Sequence, residues 1–189
     1  MLMEEEVKRA VEFLNTGKII LYPTDTIWGI GCDATNQRAI DRIYKLKKRR
    51  ESKSMIIILH STDQLPEYMK KVPVIALDLI RSIQTPLTII YPQARNLAKN
   101  IIAEDGTIAI RIVRHEFCQR MLREFGKPVV STSANLSGEP PAVVFSRISR
   151  EITDNVDYIV GLDRENVQLA KPSTIIKIED FGGFTIIRN

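Results

Sequence analysis

The sequence predicts one α/β domain spanning residues 1–189, a twisted mixed sheet with helices packed on it. Short β-branched apolar runs, at residues 55–59, 87–91 and 107–112, alternate with segments of helical period. A chain of 189 residues, 44% hydrophobic, can bury one sizeable core, and no repeat or low-complexity tract interrupts it.

Val7, Ala10, Val11 and Leu14 recur at helical spacing, and Gly17 stands where that helix should end. A strand is expected over 18–22, then a loop over 23–35. Asn36 can cap the next helix, whose Ile40, Ile43 and Tyr44 share a core-facing side. That helix runs out in Lys45, Lys47, Lys48, Arg49 and Arg50. The apolar run 55–59 is too short for a helix and reads as a buried strand. Residues 62–69 and 74–83 read as helical. Strands follow at 87–91, 107–112 and 128–131, with a helix between the last two that carries Cys118, Met121, Leu122 and Phe125 and closes at Gly126. Residues 174–178 and 185–188 flank Gly182-Gly183, a hairpin signal.

The formal charge of +4 suits an anionic partner such as a nucleotide or RNA, and is equally that of many proteins binding neither. Cys32 and Cys118 lie far apart without a CxxC or Cys/His cluster, which argues against structural zinc and a disulfide framework. Glu4, Glu5 and Glu6 replace the basic start of a secretory leader, and no apolar stretch is long enough to cross a membrane. A cytoplasmic location without membrane contact is the expectation.

Four segments carry polar groups suited to chemistry. In Pro23-Thr24-Asp25-Thr26-Ile27-Trp28-Gly29-Ile30-Gly31-Cys32-Asp33, hydroxyls and glycines after a strand let backbone N–H groups approach an anion, although an ordinary turn has the same composition. Gly29-x-Gly31 lacks the third glycine of a dinucleotide fingerprint, and Gly126-Lys127 continues into Pro128 instead of completing a P-loop. The run from Lys47 to Ser54 either compensates a helix dipole or gathers Lys47, Arg49 and Lys53 on a polyphosphate. Ser131-Thr132-Ser133-Ala134-Asn135-Leu136-Ser137-Gly138 follows a strand end, where ligands bind in open α/β sheets. Arg111, in an otherwise apolar strand, must meet an anion or reach solvent. A serine nucleophile is disfavoured, because there is no GxSxG elbow and His60 and His115 are the only imidazoles.

The order PTDTIWGIGCDA, KLKKRRESKSMIIIL, PLTIIYP, TIAIRI, KPVVSTSANLSGEPP, KPSTIIKI resembles the YrdC family, the threonylcarbamoyl-AMP synthases of tRNA modification, over roughly residues 17–188. The resemblance implies a YrdC-like sheet around a large basic cavity. It also implies catalytic roles for Lys47, Arg49, Ser133 and Asn135, which match the KxR and SxN signatures. By the same resemblance ATP would meet Arg49, Lys53, Thr107, Ser133, Asn135 and Arg188, and L-threonine would meet Thr26, Arg111, Ser131 and Ser173. Substrates would be L-threonine, bicarbonate and ATP, with Mg2+ accompanying the nucleotide and no protein metal site; downstream threonylcarbamoyl-transferase proteins would be partners. Arg50 and Ser54 depart from the family pattern, as does Gln84-Thr85-Pro86, and Ile58 stands where longer relatives carry histidine. The chain is expected to lack the extra C-terminal domain of those relatives.

Two other classes remain open: an RNA-binding protein taking tRNA or double-stranded RNA, and an adenylate-hydrolysing paralogue. Against the first, no RNP, KH or zinc-knuckle motif is present and aromatics make up 6% of the chain.

Overall fold

The computed structural model describes residues 2–48, 55–166, 172–179 and 182–188. Helix α1 (Leu2–Asn15) leads into β1 (Ile20–Tyr22) and β2 (Gly29–Gly31), and α2 (Gln37–Leu46) precedes β3 (Ile56–Leu59). After α3 (Leu65–Tyr68) and α4 (Val74–Ser82) come β4 (Leu87–Tyr91), β5 (Ile108–Ile112) and α5 (Glu116–Phe125). The chain ends with β6 (Val129–Ser133), α6 (Arg150–Thr153), β7 (Tyr158–Ile159), β8 (Thr174–Ile178) and β9 (Phe184–Arg188). These strands form one sheet in the order β7-β1-β2-β6-β3-β5-β4-β8-β9. Parallel pairing joins β1 to β7, β3 to β5 and β4 to β8; the other neighbours run antiparallel.

The helix ends obey local chemistry. Asn36 caps α2 by accepting a hydrogen bond from the Ala39 N–H at 3.1 Å. Gly126 closes α5 in the left-handed conformation, φ 72°, where a side chain would be strained.

Side chains alternate between faces along each strand, so the sheet has two cores. On one face Ile30, Ile57, Ile89, Ile110 and Val130 pack with Ile40 and Ile43 of α2 and Leu65 and Tyr68 of α3. On the other, Ile20, Tyr22, Ile58 and Val129 lie under Val7, Ala10, Val11 and Leu14 of α1 and Phe117, Cys118, Met121 and Leu122 of α5. This second cover stops short of the strand ends, where the polar residues of the site begin.

Several elements differ from the sequence expectation. The segment 23–35, read as one loop, contains β2, because Gly-Ile-Gly looks like a turn in isolation. A Cβ on Gly31 would sit 2.3 Å from the Val130 carbonyl oxygen and 2.8 Å from the Tyr22 ring. Glycine is therefore required there by strand proximity rather than by a ligand. Residues 62–69 divide into a 3-10 turn (Thr62–Gln64) and the single-turn α3, with Pro66 in its first turn. Strand β6 reaches Ser133, two residues past expectation, and β7 was not anticipated.

Candidate active site

A cavity of about 420 Å³ opens on the uncovered part of the second face. Its floor is Ile56 of β3, Ala109 and Arg111 of β5 and Ser131 of β6; Thr24, Thr26 and Gly29 form one wall, and Pro172, Ser173, Ile175 and Arg188 the opposite one. Ser133, Asn135 and Glu139 edge it at the end of β6. The size falls within the roughly 300–1,000 Å³ typical of small-molecule sites.

Register brings the polar side chains together. Arg111 pairs with Ile58 on one side and Thr88 on the other, one pleat beyond Ala109. It is 5% exposed. Its Nη1 donates to Thr26 Oγ1 at 2.9 Å, and its Nη2 lies 3.4 Å from Asp25 Oδ1. Arg111 Nε is buried and has no hydrogen-bond partner among the described residues. A guanidinium with an unsatisfied N–H beside a polar cavity is suited to an anion. Asp25 is itself tied down, since its Oδ2 accepts from the Arg114 backbone N–H at 3.2 Å.

Arg188 supplies the second cation. Its Nε and Nη2 donate to the Ser173 carbonyl at 3.2 and 2.8 Å. Burial, followed by repulsion from Arg111, pulls the Arg188 pKa below its ordinary value. An anion bound between the two guanidinium groups would offset both by its opposite charge. The Ser173 hydroxyl pairs with the fully buried Thr88 hydroxyl at 2.7 Å.

The hydroxyl wall is anchored from beneath. Cys118 on α5 donates its S–H to the Pro23 carbonyl at 3.2 Å, and burial pushes that thiol well above its usual range, so it is a packing group. Trp28 is fully buried and packs on Phe145 with ring centroids 5.0 Å apart.

Sequence reasoning named eleven site residues, and the structure places them unequally. Thr26, Arg111, Ser131, Ser133, Asn135, Ser173 and Arg188 all line the one cavity. Thr107 does not; its hydroxyl and N–H both bond Asp105 Oδ1, at 2.7 and 3.1 Å. Arg49 and Lys53 lie outside the described residues, with Arg50 and Ser54. Lys47 departs from the expected ligand contact. It is 1% exposed, and its Nζ donates to the Ser133 carbonyl and, at 2.6 Å, to the Asn135 carbonyl. The Lys47 carbonyl in turn accepts from the Ser137 N–H at 2.9 Å. Lys47 thus holds the Ser133–Asn135 loop from behind. Thr24, Asp25 and Thr88 were missed as support; the one signal for Thr24 was its two-residue spacing from Thr26.

Comparison with known proteins shows the family to which the chain belongs. The Sua5/YciO/YrdC family model, described as telomere recombination, matches residues 12–189. A threonylcarbamoyl-AMP synthase of Pseudoalteromonas translucida is 35% identical over 175 residues, 91% of this chain and 92% of that protein. One from Blochmanniella pennsylvanica is 34% identical over 178 residues, 93% of this chain and 89% of the other. Among solved structures, P. abyssi Sua5 complexed with L-threonine superposes with a TM-score of 0.87 at 25% identity; the match takes in 96% of this chain and 53% of Sua5, so the chain spans about half its length. E. coli YciO shares the fold, with a TM-score of 0.85 over 98% of this chain and 89% of YciO, at 23% identity.

Proposed function

Because the chain belongs to the Sua5/YciO/YrdC family, we propose that it is a threonylcarbamoyl-AMP synthase, joining L-threonine, bicarbonate and ATP in the cavity on the sheet. The observation that carries this reading is the buried Arg111 guanidinium, with an unpartnered N–H, facing Arg188 among the hydroxyls of Thr26, Ser131 and Ser173. A zwitterionic hydroxy-amino acid offers the matching groups, its carboxylate to the cations and its amine and hydroxyl to the neutral oxygens.

In the proposed reaction the threonine amine displaces hydroxide from bicarbonate to give a carbamate and water. A carbamate oxygen then attacks the α-phosphorus of ATP, the bond to the bridging oxygen breaks, and pyrophosphate leaves. This is nucleotidyl transfer, and it uses no covalent protein intermediate; positioning and charge stabilisation suffice. The nucleotide side is assigned to Arg49, Lys53, Ser133, Asn135 and Arg188, and the threonine side to Thr26, Arg111, Ser131 and Ser173. Among the described residues no three acidic, cysteine or histidine side chains converge, and Asp25 is engaged by Arg111 and Arg114. Mg2+ accompanying ATP would therefore be held by phosphates and water. A downstream threonylcarbamoyl-transferase acting on tRNA, in the cytoplasm, completes the proposal; among the described residues no helix is long and apolar enough to cross a membrane.

Product analysis tests it. Pyrophosphate and an adenylate should appear only when L-threonine and bicarbonate are both supplied. Formation of ADP, or pyrophosphate release independent of threonine, would contradict the assignment.

A further inference from the structure

Among the described residues that line the cavity, Glu139 is the single carboxylate; the other charged groups there are the guanidiniums of Arg111 and Arg188. Its place is fixed by the loop that follows β6. Asn135 Nδ2 donates to the Leu136 carbonyl at 2.9 Å and to the Glu139 carbonyl at 2.6 Å, which spends both amide hydrogens. Both partners are acceptors, so the amide has only one way round. The Glu139 N–H donates to the Leu136 carbonyl at 3.1 Å, closing a turn in which Gly138 takes φ 94°. Pro140 comes next and biases Glu139 towards an extended backbone. The carboxylate itself has no hydrogen bond or ion pair among the described residues; Lys48 feels its charge but is bonded to Glu151 at 2.7 Å.

A carboxylate beside a triphosphate would repel it, so the part of ATP that meets Glu139 has to be neutral and to offer donors. Ribose does so twice, through neighbouring 2′ and 3′ hydroxyls that suit the two oxygens of one carboxylate. An acidic side chain takes a ribose hydroxyl in the same way in dinucleotide sites. We propose that Glu139, held at the cavity edge by Asn135, is a specificity-determining residue: it accepts hydrogen bonds from the ribose 2′ and 3′ hydroxyls and so selects a ribonucleotide over a deoxyribonucleotide. The exocyclic amine of adenine and the ammonium of threonine are the competing donors, and each has its own signature in the test. The inference rests on the reading of the nucleotide as ATP.

Calorimetric binding to the full chain with Mg2+, and without threonine or bicarbonate so that nothing turns over, compares ATP with 2′-deoxy-ATP, 3′-deoxy-ATP and inosine triphosphate. Wild type should hold ATP about 2- to 13-fold more tightly than either deoxynucleotide, the lower range for one hydrogen bond because Glu139 is exposed. Glu139→Ala should erase both gaps, bringing ATP and the deoxynucleotides to one affinity. Glu139→Gln, which keeps one acceptor oxygen, should retain part of them. An exposed, unbonded side chain contributes little to folding, so both variants should melt as wild type does. L-Threonine, titrated separately, should bind them as it binds wild type. Equal affinity of wild type for ATP and both deoxynucleotides, or gaps that persist in Glu139→Ala, would overturn the inference alone. So would a uniform loss for every nucleotide with the gaps intact, which marks a metal contact, or a gap confined to inosine triphosphate, which marks the adenine amine. Loss of L-threonine binding in Glu139→Ala would assign the carboxylate to the ammonium and overturn it too. Failure of wild type to bind ATP would overturn the functional reading and the inference with it.

Discussion

On β3, Ile58 packs beneath α1 and α5, while Ile56, two residues earlier and pointing the same way, lines the cavity. The same change occurs on β6 between Val129, in the helix-covered core, and Ser131, in the cavity. One sheet face therefore has two halves: an apolar one sealed by helices and a polar one left open. Tyr22 stands on the border, fully buried, with its hydroxyl donating to the Val130 carbonyl at 3.2 Å and its ionisation suppressed by burial. Period-two alternation decides which face a side chain joins, but not what covers it. The cover is set by how far α1 and α5 extend, and the residue types change where it ends. Stability should then be concentrated in the covered half and ligand recognition in the open half.

Substitutions can break that division. The largest stability effect is expected for Phe117→Ala under the helices, where a fully buried ring is removed; such truncations cost about 3–5 kcal/mol. Denaturant melts should show this loss, with activity per folded molecule near that of wild type. Lys47→Met should come next. It leaves the Asn135 carbonyl short of a donor, at about 1–3 kcal/mol for a group left unsatisfied, while the Ser133 carbonyl keeps the Asn135 N–H at 2.9 Å. Because that loop edges the cavity, turnover should fall too, and the split between kcat and KM shows whether Lys47 acts through loop placement. Arg188→Gln should alter stability least, within about 0.5 kcal/mol, while weakening an anionic ligand about 10- to 150-fold through one lost charged hydrogen bond. A large melting change in Arg188→Gln would blur the two halves into one.

Much of this arrangement was legible in the sequence where local chemistry determines it. Asn36 and Gly126 marked helix ends by their capping chemistry, and 87–91 was bounded correctly because a β-branched run between turn residues has one reading. Strand β2 was hidden, since Gly31 answers to the distant Val130 carbonyl and nothing nearby in sequence records that approach. The cavity residues were named from a motif resemblance, and their convergence came from register between strands far apart in the chain. The direction of Lys47 was not legible: a lysine after a helix gives the same sequence signal whether its ammonium meets a ligand or two backbone carbonyls.

The division of the sheet face is tested most directly by removing the buried ion pair of the open half as a unit, in the double variant Asp25→Asn/Arg111→Met. Deleting both partners avoids stranding one charge, and replacing a buried pair in this way is often neutral or stabilising. Melting temperature and L-threonine binding should be measured on the same preparation. The account predicts a melting temperature at or above that of wild type and no detectable binding of L-threonine. A loss of stability as large as that of Phe117→Ala, with threonine binding retained, would contradict it.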